Sequence, residues 1–123
     1  MLSDIHPVDL KKLIVNNTHF GNNVALSLRL ITEVSTWIHP AHSHNFQEFI
    51  AWYGSDPNNP DDIEAEIEFY MGEEKEKYVF IKPTIVSIRP GLVHCPLEYI
   101  EILKPIIQLT IQVTDKNNVN KAV

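Results

Sequence analysis

The sequence predicts an all-β fold, an antiparallel sandwich or barrel with a short helix at its N-terminus. Three observations lead to this prediction. Apolar and polar residues alternate in many short runs after Gly21, turn-forming residues separate these runs, and 44% of the 123 residues are hydrophobic. We find no internal repeat or domain boundary, so we expect one domain over residues 1–123. Its barrel core spans about 24–113, between an N-terminal extension (1–23) and a polar tail (114–123).

The N-terminal extension carries the only helical pattern. Val8, Leu10, Leu13 and Ile14 recur near helical spacing within residues 3–17. Asp9 favours the first turn of such a helix, and an asparagine at 16 or 17 favours its end. We therefore predict a short helix before the barrel.

The first half of the barrel core reads as three strands. Residues 24–34 alternate in part, with leucines at every second position against Ser27 and Arg29. Residues 46–53 are aromatic and apolar, and the turn-rich segment 54–62 follows them. Residues 63–72 alternate strictly, placing Ile63, Ala65, Ile67, Phe69 and Met71 on one face and three glutamates on the other. That period of two predicts a half-buried strand.

The second half continues the pattern with shorter strands. The segment 72–77 is typical of a hairpin turn, and prolines interrupt the strands predicted within 78–91. Two more runs, 97–105 and 106–113, complete the core. In the last run Gln108, Thr110 and Gln112 form a polar stripe, which faces either solvent or a polar interior. Parity alone does not choose between these two faces.

Composition and charge exclude some classes of function. The net charge is −6, and residues 56–76 hold nine acidic residues and one lysine, a local charge of −8, which we interpret as a solvated face. Nucleic-acid binding is disfavoured because no basic cluster exceeds Lys11–Lys12. No apolar run is long enough to span a membrane, and no secretory signal is visible. With Cys95 as the single cysteine, these features predict a cytoplasmic protein.

A cluster of metal-binding residue types stands at residues 39–49, "HPAHSHNFQEF". His42, His44 and Glu48 have the same parity, so their side chains share one face of an extended segment. His39 has the opposite parity and precedes Pro40, so we leave it out of the set. Two imidazoles and a carboxylate suit Zn, Fe, Mn, Ni or Cu better than calcium. A fourth ligand would come from elsewhere in the chain.

The segment 89–96, "RPGLVHCP", offers that fourth ligand. Pro90 and Gly91 form a tight turn, and His94 follows it on the next strand. Pairing of that strand beside the first segment would bring His94 to the same interior. The neighbouring Cys95 is expected on the opposite face of the strand, as a small buried hydrophobe in preference to a nucleophile.

These two segments resemble the two motifs of the cupin superfamily (RmlC-like), in particular of small single-domain bacterial cupins. The first motif, His-x-His-x(3,4)-Glu and a later glycine, is matched by His42, His44, Glu48 and Gly54. The glycine and histidine of the second motif, Pro-x-Gly-x-x-His, are matched by Gly91 and His94. The resemblance implies a double-stranded β-helix, the jelly-roll barrel of cupins. It also implies that His42, His44, Glu48 and His94 are metal ligands.

The match to the cupin motifs has departures. Arg89 replaces the first proline of the second motif, only five residues separate Glu48 from Gly54 where six are usual, and Pro96 and Leu97 stand where a closing polar residue is common. All four ligand positions are retained. Phe46, Ile50 and Trp52 share the parity of the ligands, so we expect them to line a pocket beside the metal.

Cupins differ in reaction, so the resemblance leaves the function open. The first hypothesis is a small-molecule-binding metal protein with Fe, Mn, Ni or Zn, acting as a dioxygenase-like oxidoreductase or as an isomerase or lyase. The second is a non-catalytic small-molecule-binding or metal-sensing module, and the third is a barrel with a purely structural metal. The sequence identifies no catalytic acid or base. Since strands rich in Ile and Val need covering, we also predict a homodimer.

Overall fold

Nine β-strands form the fold in the computed structural model, which describes residues 16–20, 23–37 and 40–114. In chain order the strands are β1 (Asn16–Phe20), β2 (Val24–Ile31), β3 (Ser35–Trp37), β4 (Gln47–Gly54), β5 (Ala65–Met71), β6 (Glu76–Phe80), β7 (Thr84–Ile88), β8 (His94–Ile102) and β9 (Ile106–Val113). The described residues contain no helix, so within them the all-β prediction is confirmed. They also contain no apolar segment in helical form that is long enough to cross a membrane.

The strands form two antiparallel sheets. The five-stranded sheet has the order β1-β2-β9-β4-β7, and the four-stranded sheet has the order β3-β8-β5-β6. Strands distant in the chain become neighbours, as β2 and β4 both flank β9. This topology brings residues near 42–48 and residues near 94 into one interior, which is the arrangement that the two sequence segments predicted.

The apolar core lies between the two sheets. Its largest fully buried apolar side chains are Trp52, Phe69, Ile63, Ile67, Ile88, Leu97 and Ile106. The strictly alternating segment 63–72 contributes three of these, and its glutamates lie on the other face. Its predicted hairpin also forms, since Gly72 and Lys75 adopt positive φ between β5 and β6. Burial of alternate residues in β5 is what holds the four-stranded sheet against the core.

The inner face of the five-stranded sheet is partly polar. Ser27 on β2 and the β9 residues Gln108, Thr110 and Gln112 are buried, and their registers place them side by side across the sheet. The polar stripe of β9 therefore faces the interior. The leucines of β2 take the other face, so here the usual inside–outside pattern of a strand is reversed.

The reversal leaves an apolar layer on the outside of the five-stranded sheet. We define the outer apolar face by residues Leu26, Leu28, Leu30, Phe49, Ile85, Ile107, Leu109 and Ile111, which have the opposite parity to the buried positions of their strands. Ile85 is 74% exposed, and the others are half-buried. No second layer of described residues pairs with this face.

Other sequence predictions fall partly outside the described residues. The short helix predicted within residues 3–17 lies outside them except for its final asparagines, and these begin β1 instead. The polar tail also lies outside them after residue 114, as does His39. Neither β1 nor β3 was predicted, and β3, with three residues, is too short to show a period. The single-domain assignment stays a prediction.

Candidate metal centre

Backbone pairing brings the two histidine segments together. His42 and His94 form an isolated antiparallel bridge, with hydrogen bonds from His42 N to His94 O (3.0 Å) and from His94 N to His42 O (2.8 Å). A third bond runs from Gly91 N to His44 O (2.7 Å). Two segments that are far apart in sequence are thus fixed by main-chain contacts at the ligand positions themselves. Side-chain convergence here follows from backbone register.

The turn before His94 explains why this pairing is possible. Pro90 restricts the backbone, and Gly91 adopts φ of +83°, a conformation that residues with a Cβ rarely adopt. Leu92 N donates to Arg89 O across this turn. The chain reverses sharply here, so His94 arrives beside His42 at the start of β8. The Pro90–Gly91 turn predicted from sequence is present.

The four predicted ligands lie together inside the barrel. The ring centroids are 4.8 Å apart for His42–His44, 4.5 Å for His42–His94 and 5.2 Å for His44–His94. Glu48 Oε1 lies 3.4 Å from His94 Nε2. The donor atoms of His44, Glu48 and His94 all lie within 4.8 Å of one another. Ligands opposite each other across one transition-metal ion are about 4 Å apart, so these three donor atoms fit a single ion after small adjustments. His42 belongs to a second group of donor atoms, with His94 and Cys95.

Two of the imidazoles are oriented by backbone carbonyls. His42 Nδ1 lies 2.7 Å from Pro40 O, and His94 Nδ1 lies 2.9 Å from Leu92 O. Because a carbonyl oxygen only accepts, each Nδ1 carries the hydrogen. In the neutral rings the lone pair is then on Nε2, which for His94 points at Glu48. A metal-binding histidine needs this outer contact to fix its tautomer and ring plane.

Glu48 is a buried carboxylate with two separate partners. Its Oε2 accepts a hydrogen bond from Gln112 Nε2, while its Oε1 faces His94. Burial disfavours the charged form of Glu48, but hydrogen bonds from His94 and Gln112 outweigh burial and lower its pKa. Burial also disfavours charged His94, but its hydrogen bonds to Glu48 and Leu92 O raise its pKa. In the metal-free protein the two groups therefore stabilise each other as an ion pair.

This ion pair predicts a pH dependence for the free energy of unfolding of the metal-free protein. His94 has a raised pKa, so its contribution is complete below the unfolded pKa of about 6.5 and is lost as pH rises through the folded value. Glu48 has a lowered pKa, so its contribution is complete above about 4.3 and is lost as pH falls through the folded value. We expect urea unfolding to show the pair's contribution at its largest between these values. The Glu48→Gln variant should lose it; equal pH profiles for both proteins would contradict this assignment.

Cys95 is buried, as the sequence predicts, but not on the side that strand alternation predicts. Its Sγ lies within 4.8 Å of ring nitrogens of both His42 and His94. The cause is local, because Cys95 has φ of +82° and the β5–β8 register shifts between Phe69 and Met71. Burial raises the pKa of its thiol to about 12, so it is protonated at neutral pH in the metal-free protein.

The three residues predicted to line a pocket are all buried, in different surroundings. Phe46 stacks on the His44 ring at a centroid distance of 4.5 Å. Ile50 and Trp52 belong to the hydrophobic core, and the Trp52 ring packs against Phe69. Phe46 is therefore the one of the three in direct ring contact with the cluster. A lining role for these residues stays a prediction.

The contacts made by Gln112 and Gln108 were not predicted from the sequence. Trp52 Nε1 donates to Gln108 Oε1 (3.0 Å), which also accepts a hydrogen bond from Tyr99. Strand β9 thus contributes the Gln112 amide to the metal cluster and the Gln108 amide to the core. The sequence signal for them was the polar stripe on β9. Parity alone did not show whether this stripe faces solvent or the interior. The pairing of β9 with β4 determines that direction.

Comparison with solved structures identifies the fold. The cupin domain of Cnp3 from Schizosaccharomyces pombe aligns with a TM-score of 0.62 and 10% identity, over 93% of this chain and 69% of that one. A Klebsiella pneumoniae protein of unknown function with a double-stranded β-helix domain gives 0.60 and 13%, over 94% and 83%. The chain has the cupin fold. The prediction made from the two sequence motifs is confirmed at the level of fold.

The cupin fold also occurs among similar structures that contain metal. Cobalt(II) HppE in complex with Tris buffer aligns with a TM-score of 0.55 and 10% identity, over 80% of this chain and 52% of that one. No protein-family model matches the sequence. A search of curated proteins also finds no match. Identities this low establish the cupin fold and leave the reaction to be argued from the site.

Proposed function

We propose that the protein binds one divalent transition-metal ion through His42, His44, Glu48 and His94. One observation carries this proposal: the donor atoms of His44, Glu48 and His94 lie within 4.8 Å of one another, and the His42 ring lies beside those of His44 and His94. Imidazole nitrogens and a carboxylate oxygen are donor types that divalent transition-metal ions prefer.

The donor set favours particular metals. Imidazole nitrogen and carboxylate oxygen are ligands for Fe, Mn, Ni or Zn. Four protein ligands leave positions for a small molecule on a six-coordinate ion, whereas on zinc they do so only if the ion becomes five-coordinate. When bound, such an ion would act as a Lewis acid or, if iron, support redox chemistry. The residues of this chain would hold the ion, orient its ligands through Pro40 O and Leu92 O, and shield it with the Phe46 ring.

We further propose that the protein is a metal-dependent enzyme whose metal centre binds a small-molecule substrate. It would be either a dioxygenase-like oxidoreductase or an isomerase or lyase. The partial exposure of His42 and His44 supports this, because it places one side of the cluster near solvent. HppE, which has the same fold and holds cobalt(II), supports the metal part of the proposal by analogy of fold alone.

A non-catalytic binding or metal-sensing module is the alternative. Ser27 and Thr110 lie opposite each other on the inner face of the five-stranded sheet. These side chains form hydrogen bonds but do not titrate near neutral pH, so they suit binding of a polar ligand better than proton transfer.

The decisive experiment measures metal binding first and turnover second. Protein purified without added metal would be loaded separately with Fe(II), Mn(II), Ni(II) and Zn(II), and bound metal would be quantified. Each form would then be assayed against panels of small oxidisable, isomerisable and cleavable substrates. Metal-dependent product formation that is abolished in His44→Ala supports the enzyme. Tight ligand binding without turnover supports the module, and no stoichiometric metal binding would refute both.

We also propose that two copies of the chain associate through the outer apolar face, in the cytoplasm. A contiguous apolar surface on a sheet is commonly covered by a partner, and a second copy supplies an identical surface. The buried free thiol of Cys95 is compatible with a reducing compartment.

The dimer proposal predicts the effect of one charge at the centre of this face. Leu109 lies on β9, the middle strand of the five-stranded sheet. We expect light scattering at micromolar concentration to give a dimer mass for the wild-type protein and a monomer mass for Leu109→Glu. Val79→Glu, at an exposed position of β6 in the other sheet, should remain dimeric. A monomer mass for the wild-type protein would overturn the proposal.

A further inference from the structure

We infer that Gln112 is a positioning residue that makes Glu48 a one-oxygen ligand and so keeps a coordination position open. The inference rests on the proposed metal site. The two oxygens of the Glu48 carboxylate have different partners. Gln112 Nε2 donates a hydrogen bond to Oε2, and Oε1 faces the imidazole cluster at 3.4 Å from His94 Nε2. The amide therefore determines which oxygen is available to an ion.

The backbone holds this contact firmly. Glu48 on β4 and Gln112 on β9 are directly opposite each other in the antiparallel register, and both are buried, at 5% and 2% exposure. Directly opposed residues on one face of a sheet have neighbouring Cβ atoms, so the amide needs no special chain conformation to reach Oε2. Burial also excludes the water that would otherwise replace the amide as the donor.

This hydrogen bond affects how many oxygens of the carboxylate can bind an ion. A carboxylate can bind an ion through one oxygen or through both, and a donor held on Oε2 disfavours the second mode. One oxygen from Glu48 and three imidazole nitrogens give four protein contacts. Loss of the amide would free Oε2 to rotate towards the ion, and it would compete with an incoming small molecule for the open position.

The test uses Gln112→Met, which nearly preserves side-chain shape and removes the donor, with cobalt(II) as a spectroscopic probe. Competition with a chelator measures the dissociation constant, and visible absorption reports the coordination number. We expect the dissociation constant to rise by about 10–100-fold, as for other outer contacts of metal ligands, because the lost orientation of Glu48 outweighs the added contact from Oε2. We also expect weaker absorption bands, which accompany the higher coordination number of a two-oxygen carboxylate.

The matched control is Gln108→Met, which removes an equally buried amide from the same face of β9 but has Trp52 and Tyr99 as partners. It should lose stability and keep the cobalt spectrum and affinity of the wild-type protein. A Gln112→Met variant with wild-type spectrum and affinity would overturn the inference while leaving the metal site intact. Failure of the wild-type protein to bind cobalt would overturn both.

If Gln112→Met does not fold, the wild-type protein still provides a test. The side-chain amide protons of Gln112 should shift in NMR spectra when Zn(II) is added, because their acceptor becomes a metal ligand. Those of Gln108 should shift much less. Equal shifts for the two side chains, or none for Gln112, would refute the assigned role.

Discussion

The His94→Ala variant is expected to lose stoichiometric metal binding. His94 is the residue that all parts of the cluster share: it pairs with His42 through the backbone, approaches Glu48 at 3.4 Å, and belongs to both groups of potential ligand atoms found among the described residues. Removal of a direct ligand should cost more than the ~100-fold upper range for an outer contact. Metal analysis after purification without added metal measures the effect directly, and Glu48→Ala should show the same loss.

His39→Ala is the matched control, since it removes a histidine from the same stretch of sequence. Parity and the intervening Pro40 exclude His39 from the predicted set, so its removal should leave the metal content unchanged. The ligand assignment would be wrong if His94→Ala and Glu48→Ala carried as much metal as the wild-type protein. It would need revision if His39→Ala lost the metal as well. Circular dichroism of each metal-free variant distinguishes loss of a ligand from loss of fold.

The largest effect on stability is expected from Trp52→Ala. Trp52 is 1% exposed, packs against Phe69 and Phe80, and donates its ring hydrogen to Gln108. Truncation leaves a large cavity and removes one of the two donors to a buried amide oxygen. Such substitutions typically reduce the free energy of unfolding by about 3–5 kcal/mol. Urea unfolding of the metal-free protein measures this cost without a contribution from bound ion.

Val79→Ala provides the comparison for this measurement. Val79 is 51% exposed on β6, and substitutions at such positions usually change stability by no more than about 0.5 kcal/mol. If Trp52→Ala cost less than about 1 kcal/mol, the packing described for the centre of the barrel would be wrong. A large loss for Val79→Ala would instead indicate that β6 is covered by another surface.

The sequence was most informative where period and chemistry agreed. Strict alternation over residues 63–72 predicted both β5 and its buried face. The spacing of His42, His44 and Glu48 predicted a shared face, and the Pro90–Gly91 turn supplied His94 to the same interior. These features depend on local geometry, which a single sequence contains. The cupin motifs then connected the local patterns to a complete fold.

The sequence was less informative where the outcome depended on a partner strand. The direction of Gln112 was undecided because alternation gives two faces and does not say which one is inside. Cys95 was placed on the wrong side because its left-handed backbone breaks the alternation of β8. β3, with three residues, has too few positions to show a period. Only the direction of Gln112 depends on pairing between distant parts of the chain, whereas the position of Cys95 follows from its local backbone conformation.

The polar inner face of β9 has a consequence for how the chain selects its register during folding. A shift of β9 by one residue against β2 and β4 would turn Leu109 and its apolar neighbours inward and the glutamines outward, giving a more hydrophobic barrel without the amide beside Glu48. Hydrophobic burial alone therefore favours a competing structure. The contacts of Gln112 with Glu48 and of Gln108 with Trp52 form only in the native register. Gln112 and Gln108 thus also stabilise the native register over a misfolded barrel.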